Sequence, residues 1–215
     1  MSRFGIPALL AGPVFVFMTI GSSSSALADN HATTADTVAV MQTKMALRDL
    51  WVEHVFWIRS YVLATKAEDE TQAEVAESQV VANATALADT MAPFYGAPAA
   101  DRLLELLAGH WTAVRDYNAQ HIANSQTGRD AAIQRLTANA GDIATFLSAA
   151  NPYLAEQAVF GLLSAHGAHH VAQINQVTAG QFGDEAATWE SMREHMLTIA
   201  DAIAEALAMQ FPDRF

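Results

Sequence analysis

Histidine is the residue type in this chain whose spacing points to chemistry. His54, His110, His166 and His195 lie on the apolar faces of four different predicted helices, and His170 follows His166 at the i+4 position. Residues four apart lie on one helix face, one turn from each other, and neutral imidazole is a common ligand of transition metals. The sequence predicts a metal or metal-cofactor site formed by His54, His110, His166 and His170, with His195 as an alternative ligand.

The residue types favour copper or zinc as the ion. Imidazole suits zinc, copper and nickel, and Met192 and Met196 near His195 tilt the prediction towards copper. Haem held between a histidine and one of these methionines is a weaker alternative. Covalent c-type haem is excluded, because the chain contains no cysteine.

A site without any ligand is the main competing interpretation. A buried histidine without a partner is costly, so these side chains need a metal, one another, or nearby acceptors. In the alternative, the protein is a ligand-free periplasmic interaction or stress-response bundle with a buried histidine hydrogen-bond network. Periodicity alone does not fix the level of each histidine along its helix, so both interpretations stay open.

Known catalytic patterns are absent from the sequence. The chain has no Glu-x-x-His pairs of di-iron bundles, no G-x-S-x-G elbow, and no phosphate or dinucleotide loop. A hemerythrin-like site needs Glu four residues after a histidine, but Ile58 and Val114 follow His54 and His110 at that distance. The prediction therefore leans against an enzyme.

Helices must position these histidines. Apolar residues recur every three to four positions, alanine is abundant, and strand-like alternation is missing. The pattern predicts an all-α, up-and-down helical bundle of about six helices in one domain, because the connections are short. The helix pairs do not match closely in sequence, and we expect no strong internal repeat. The predicted helices cover 37–66, 70–92, a segment from Pro98 to Ser125, 129–149, 154–178 and 184–209.

The beginning of the chain has the pattern of an export signal. Arg3 precedes an apolar run, and Ala26-Leu27-Ala28 forms a small-x-small cleavage site. We expect residues 1–28 to be a secretory signal peptide, 29–36 to be disordered and 37–215 to form the bundle. The predicted location is the bacterial periplasm or the exterior, with no stable membrane insertion of the mature chain.

Charge restricts the partners of the protein. The formal net charge is −12, and removal of a signal peptide containing Arg3 and no acidic residue makes it one unit more negative. Such a charge opposes binding to nucleic acid or anionic lipid and favours cations. A metal ion is the predicted partner, the identity of any protein partner is left open, and a homo-oligomer is possible.

Several segments resemble a family of uncharacterised bacterial helical-bundle proteins. Residues 50–59 are similar to its L-W-x-x-H-V-x-W-T-R opening, residues 94–96 to its F-Y-G turn, and residues 210–212 to its Q-F-P ending. The resemblance covers most of the chain after the signal peptide and implies a helical bundle in which His54, His110 and His166 match family positions. Some members carry the label acetylglutamate kinase, but this chain has no nucleotide-binding motif. It departs from the family at Ile58 and Gly141.

Overall fold

The computed structural model describes the backbone of residues 25–215 and the side chains of residues 37–215. These residues form six long helices and one short one, with no strand among them, which confirms the predicted all-α bundle. A 3₁₀ turn, Pro212–Arg214, closes the chain. The helices are α1 (Ser25–Lys66), α2 (Glu70–Asp89), α3 (Ala92–Tyr95), α4 (Ala97–Ile122), α5 (Gln126–Ala150), α6 (Glu156–Ala179) and α7 (Phe182–Gln210).

The long helices pair into three antiparallel hairpins. The first hairpin is α1–α2, the second is α4–α5 and the third is α6–α7. The second helix of each hairpin packs against the first helix of the next, so α2 contacts α4, α5 contacts α6, and α7 returns to α1. The bundle therefore closes on itself, and the arrangement approximates three-fold rotational symmetry.

The turns of the three hairpins are built alike and recur at equal intervals. Glu68, Asn124 and Gly180 each have a positive φ, of 57°, 52° and 74°. The residue after each of them donates a backbone hydrogen bond to the carbonyl five residues earlier, as in a Schellman motif. The three positions are evenly spaced, since 124 − 68 and 180 − 124 both equal 56.

A structural repeat of 56 residues therefore relates the hairpins, which corrects the expectation of no strong internal repeat. The second helices begin at Glu70, Gln126 and Phe182 with the same spacing. Residues that differ by this interval are called equivalent below. Their side chains mostly differ in type, as with Ile58, Val114 and His170, and for this reason the sequences of the helix pairs do not match closely.

The N-terminal predictions mostly concern residues whose structure is not described. The backbone of α1 begins at Ser25, earlier than the predicted start at residue 37, but its side chains are described only from Thr37 onward. Residues 1–24 of the predicted signal peptide, which spans 1–28, lie outside the described residues. The cleavage site and the assignment of 29–36 stay predictions.

No helix in the described part of the chain has the length and apolar character needed to cross a membrane.

Candidate metal centre

Three of the predicted histidines occupy equivalent positions on the first helices of the three hairpins. His54 lies on α1, His110 on α4 and His166 on α6, and the repeat interval separates each from the next. Their ring centroids are 6.0, 5.7 and 5.2 Å apart, so they form a nearly equilateral triangle. All three are buried. The closed bundle therefore brings three imidazoles together near its approximate three-fold axis.

His170 completes the group as a fourth, non-equivalent histidine. Its equivalents in the first and second hairpins are Ile58 and Val114, which are fully or almost fully buried core residues. One turn after His166, the His170 ring lies 4.3 Å from that ring, and the two Nε2 atoms are 3.1 Å apart. A histidine thus replaces an aliphatic side chain at one of three equivalent core positions.

The four side chains lie close enough together to hold one ion. Each offers a ring nitrogen, and these four atoms lie within 4.8 Å of one another. A tetrahedral zinc site with Zn–N distances of about 2.0–2.1 Å has nitrogens about 3.3 Å apart. The widest pair must therefore approach by at most about 1.5 Å on binding, which side-chain rotation can supply.

Burial keeps these imidazoles neutral at physiological pH. Desolvation lowers the pKa of His54 to about 3, with further lowering by His110, and it lowers the pKa of His110 to about 4. Burial and the neighbouring histidines also hold the pKa values of His166 and His170 well below their usual range. A metal needs neutral imidazole, and this site provides it without a proton having to be removed.

Most ring nitrogens of the group have no hydrogen-bond partner. These atoms are Nδ1 and Nε2 of His54, Nε2 of His110, Nδ1 of His166 and Nδ1 of His170. The contact between His166 and His170 is the only hydrogen bond within the group. A buried imidazole nitrogen without a partner costs free energy, so the group lacks a stabilising partner that a cation would supply.

Two asparagines from the second helices support the triangle. Asn83 on α2 donates to the carbonyl of Leu50 (3.0 Å), and Asn139 on α5 donates to that of Leu106 (2.9 Å). Each carbonyl lies one turn before a histidine of the triangle. The Asn83 and Asn139 side chains also favour the protonated forms of His54 and His110. This effect opposes the larger lowering of the two pKa values by burial. Each amide oxygen therefore faces a ring, although neither makes a hydrogen bond of regular geometry.

His195 lies outside the group of four. It is the equivalent of Asn83 and Asn139, and its Nε2 lies 2.8 Å from the carbonyl oxygen of Leu162, one turn before His166. The His195 ring also packs edge-on against His169, 5.4 Å away. His195 therefore supports His166 in the way that Asn83 and Asn139 support His54 and His110. Sequence reasoning missed Asn83 and Asn139, and the signal that could have found them is their common spacing from His54 and His110.

The remaining candidates lie elsewhere in the bundle. Met192 and Met196 are fully buried in the main hydrophobic core. His121, near the end of α4, is partly exposed and stacks on Tyr117 with ring centroids 6.1 Å apart. It is therefore a histidine distinct from the four, and it serves below as a control.

An apolar cavity of about 60 Å³ adjoins the triangle. His54, His110 and His166 line it, whereas His170 does not. The rest of the lining consists mainly of equivalent residues from the three hairpins, so the cavity lies along the approximate three-fold axis. These residues are Leu47, Leu103 and Val159; Trp51, Leu107 and Leu163; Leu87, Ile143 and Ile199; and Met91, Leu147 and Ile203.

Comparisons with protein-family models, with curated proteins and with solved structures find no significant match to this chain. The interpretation of the site therefore depends on its geometry.

Proposed function

We propose that this protein binds one transition-metal ion through His54, His110, His166 and His170. The observation that carries the proposal is the convergence of four buried imidazoles from three helices, with ligand atoms within 4.8 Å of one another. Metal sites of this kind satisfy nitrogens that would otherwise be buried without partners. Protein carboxylates are not part of the group, so a bound divalent cation would keep its full charge.

The hydrogen bonding of the group supports a metal over a ligand-free network. In a self-contained network, each imidazole would donate from one nitrogen and accept at the other. Here one internal hydrogen bond serves four rings, and five nitrogens make no hydrogen bond of regular geometry, although Asn83 and Asn139 lie beside two of the rings. Polar networks stabilise a core only when their members are satisfied, so the alternative function as a ligand-free bundle has less support.

Copper or zinc is the ion that fits the donor set best. Four neutral imidazoles without thiolate or carboxylate suit both ions. Haem is disfavoured because the core residues around the triangle leave a cavity of only about 60 Å³. We further propose that the ion is bound in the periplasm after export of the chain.

A metal titration with matched variants tests the proposal. The wild-type protein, His110→Leu and His121→Gln are compared by isothermal titration with zinc and, under reducing conditions, with copper(I). We expect one high-affinity site in the wild type and in His121→Gln, and a loss of affinity of about 100-fold or more in His110→Leu. Equal affinities in all three proteins would contradict the proposal.

Export has its own test. The protein is expressed with its full N-terminus in a bacterial host, the periplasmic fraction is isolated, and the N-terminus of the recovered protein is sequenced. We expect a chain that begins at Asp29. A full-length protein retained in the cytoplasm would contradict the proposed location while leaving the metal proposal intact.

A further inference from the structure

We propose that the cavity beside the histidine triangle admits a small uncharged molecule of two or three heavy atoms, which contacts the ion from the side opposite His170. This inference rests on the proposed function, because the ion supplies one wall of the site. The ligand class is that of neutral diatomic gases and molecules of similar size.

The position of the cavity follows from which histidines line it. His54, His110 and His166 contribute to its wall and His170 does not. The triangle therefore separates the cavity from His170. An ion held by these four nitrogens has His170 on one side, and the face between the other three ligands is turned towards the cavity. Zinc sites sometimes expand from four to five ligands, so this face can accept a further donor.

The size of the cavity restricts the ligand to a few atoms. A cavity needs about 10–15 Å³ to hold a water molecule, and an engineered cavity of about 150 Å³ holds benzene. At about 60 Å³, this cavity exceeds the first limit and falls well short of the second. A diatomic molecule fits within these bounds, whereas an aromatic ring or a haem does not.

The polarity of the lining favours uncharged ligands. Apart from the histidines, the lining is aliphatic and aromatic, and the hydroxyl of Thr90 already donates to the Leu87 carbonyl at 2.7 Å. Apart from the ion, the lining offers an anion almost nothing to replace its lost hydration. One donor stays free, because the Trp51 indole N–H is buried without a partner. Its equivalents are Leu107 and Leu163, so this donor is particular to one side of the cavity.

Two probes separate the cavity from the ion. Xenon reports on the cavity alone and is followed by methyl NMR of the metal-free and zinc-loaded protein under xenon pressure. Carbon monoxide reports on the cavity and ion together: on copper(I), which four donors saturate, it binds from the cavity side in place of His170, and the infrared C–O stretch of the copper(I)-loaded protein follows it. We expect xenon to shift the methyl signals of Leu103, Leu147 and Ile199, and carbon monoxide to give one protein-bound band.

Variants taken from the repeat provide the matched comparison. Leu163→Trp gives the third hairpin the tryptophan that the first hairpin has at the equivalent position 51. The larger side chain fills the cavity. Val80→Leu is the control. It gives the first hairpin the leucine that the second hairpin has at the equivalent position 136, and this position lies outside the cavity. We expect Leu163→Trp to retain copper and to lose at least 10-fold in affinity for both probes, and Val80→Leu to retain both. If Leu163→Trp does not fold, Leu147→Phe fills the same space.

Each failure has a distinct meaning. Copper binding without xenon or carbon monoxide binding overturns the ligand site and leaves the proposed function standing. Xenon binding by a protein that takes up no metal overturns the proposed function and, with it, the claim that the ligand contacts an ion. Carbon monoxide affinity that Leu163→Trp leaves unchanged places the gas outside this cavity and also overturns the inference.

Discussion

Asn139 donates a hydrogen bond of 2.9 Å to the carbonyl of Leu106, which lies one helical turn before His110. Asn83 makes the equivalent bond to Leu50 before His54, and His195 contacts the carbonyl of Leu162 before His166. Each histidine of the triangle thus has a polar side chain from the second helix of its own hairpin beside it. The repeat therefore extends from the hairpin turns to the surroundings of the histidine triangle.

We predict that Asn83 and Asn139 position the ligands they face. Residues that orient metal-binding histidines typically contribute 10–100-fold to metal affinity. We expect Asn139→Ala to weaken zinc binding by about that factor, and Asn139→His, which copies the third hairpin, to restore most of it. Competition with a chromophoric chelator measures the affinities.

The control for this prediction is another buried asparagine. Asn118 is 2 % exposed, and its amide donates to the Thr65 hydroxyl at 2.9 Å, away from the four histidines. Asn118→Ala is expected to lower the free energy of unfolding and leave zinc affinity unchanged. An equal loss of zinc affinity in Asn118→Ala and Asn139→Ala would show that both act only through stability.

The helical fold was predictable from the sequence because periodic apolar residues mark each helix. The same pattern placed His54, His110 and His166 on inward faces, and the i+4 spacing added His170. The sequence did not reveal that His195 lies beside the Leu162 carbonyl, because that contact depends on the register between α6 and α7. The repeat also escaped detection, since equivalent core positions tolerate side chains as different as Ile58, Val114 and His170.

A second prediction concerns His170→Ile. Isoleucine already occupies the equivalent position 58 and is fully buried there, so the fold accommodates it. We expect the metal-free protein to become more stable, because a buried polar ring is replaced by an aliphatic side chain. We also expect metal affinity to fall by about 100-fold, because one of the four ligands is lost. Thermal unfolding with and without zinc measures both effects; a higher melting temperature in both states would contradict the assignment of His170 as a ligand.

A third prediction concerns the pH dependence of stability in the metal-free protein. The pKa is about 3 for His54 and about 4 for His110 when folded, against about 6.5 in an unfolded chain. The unfolded state therefore binds protons first, and the stability of the fold decreases as the pH falls below about 6.5. Each such histidine costs about 1.4 kcal/mol per pH unit until its folded pKa is reached.

Urea unfolding at pH 7, 6 and 5 measures this dependence. His110→Leu should reduce the slope, because it removes one of the groups that protonates only on unfolding. A free energy of unfolding that stays constant from pH 7 to 5 would contradict the burial of neutral histidines in the core.

A fourth prediction concerns an ion pair that supports the bundle independently of the metal. Arg59 on α1 donates two hydrogen bonds to Glu185 on α7, at 2.6 and 2.7 Å, and Gln173 donates a third at 2.8 Å. The Arg59 guanidinium holds the pKa of Glu185 below its usual value. This contribution is present above the carboxyl's unfolded pKa of about 4.3 and is lost as the pH falls through the lower folded value.

Removing one partner should destabilise the fold without affecting the metal site. Arg59 is partly exposed, so we expect Arg59→Met to cost about 3 kcal/mol, the lower end of the range for buried pairs. The decrease in unfolding free energy should be the same with and without zinc. A decrease seen only in the zinc-loaded protein would mean that the pair acts through the metal centre.

The most direct measurement of the central claim is the metal content of the protein. The chain is produced without an affinity tag, purified from the periplasm, dialysed against metal-free buffer and analysed by mass spectrometry for transition metals, beside the double variant His54→Leu/His110→Leu. We predict close to one copper or zinc ion per wild-type chain and almost none in the variant. A wild-type protein that contains no metal and gains no thermal stability from added copper or zinc would contradict the account.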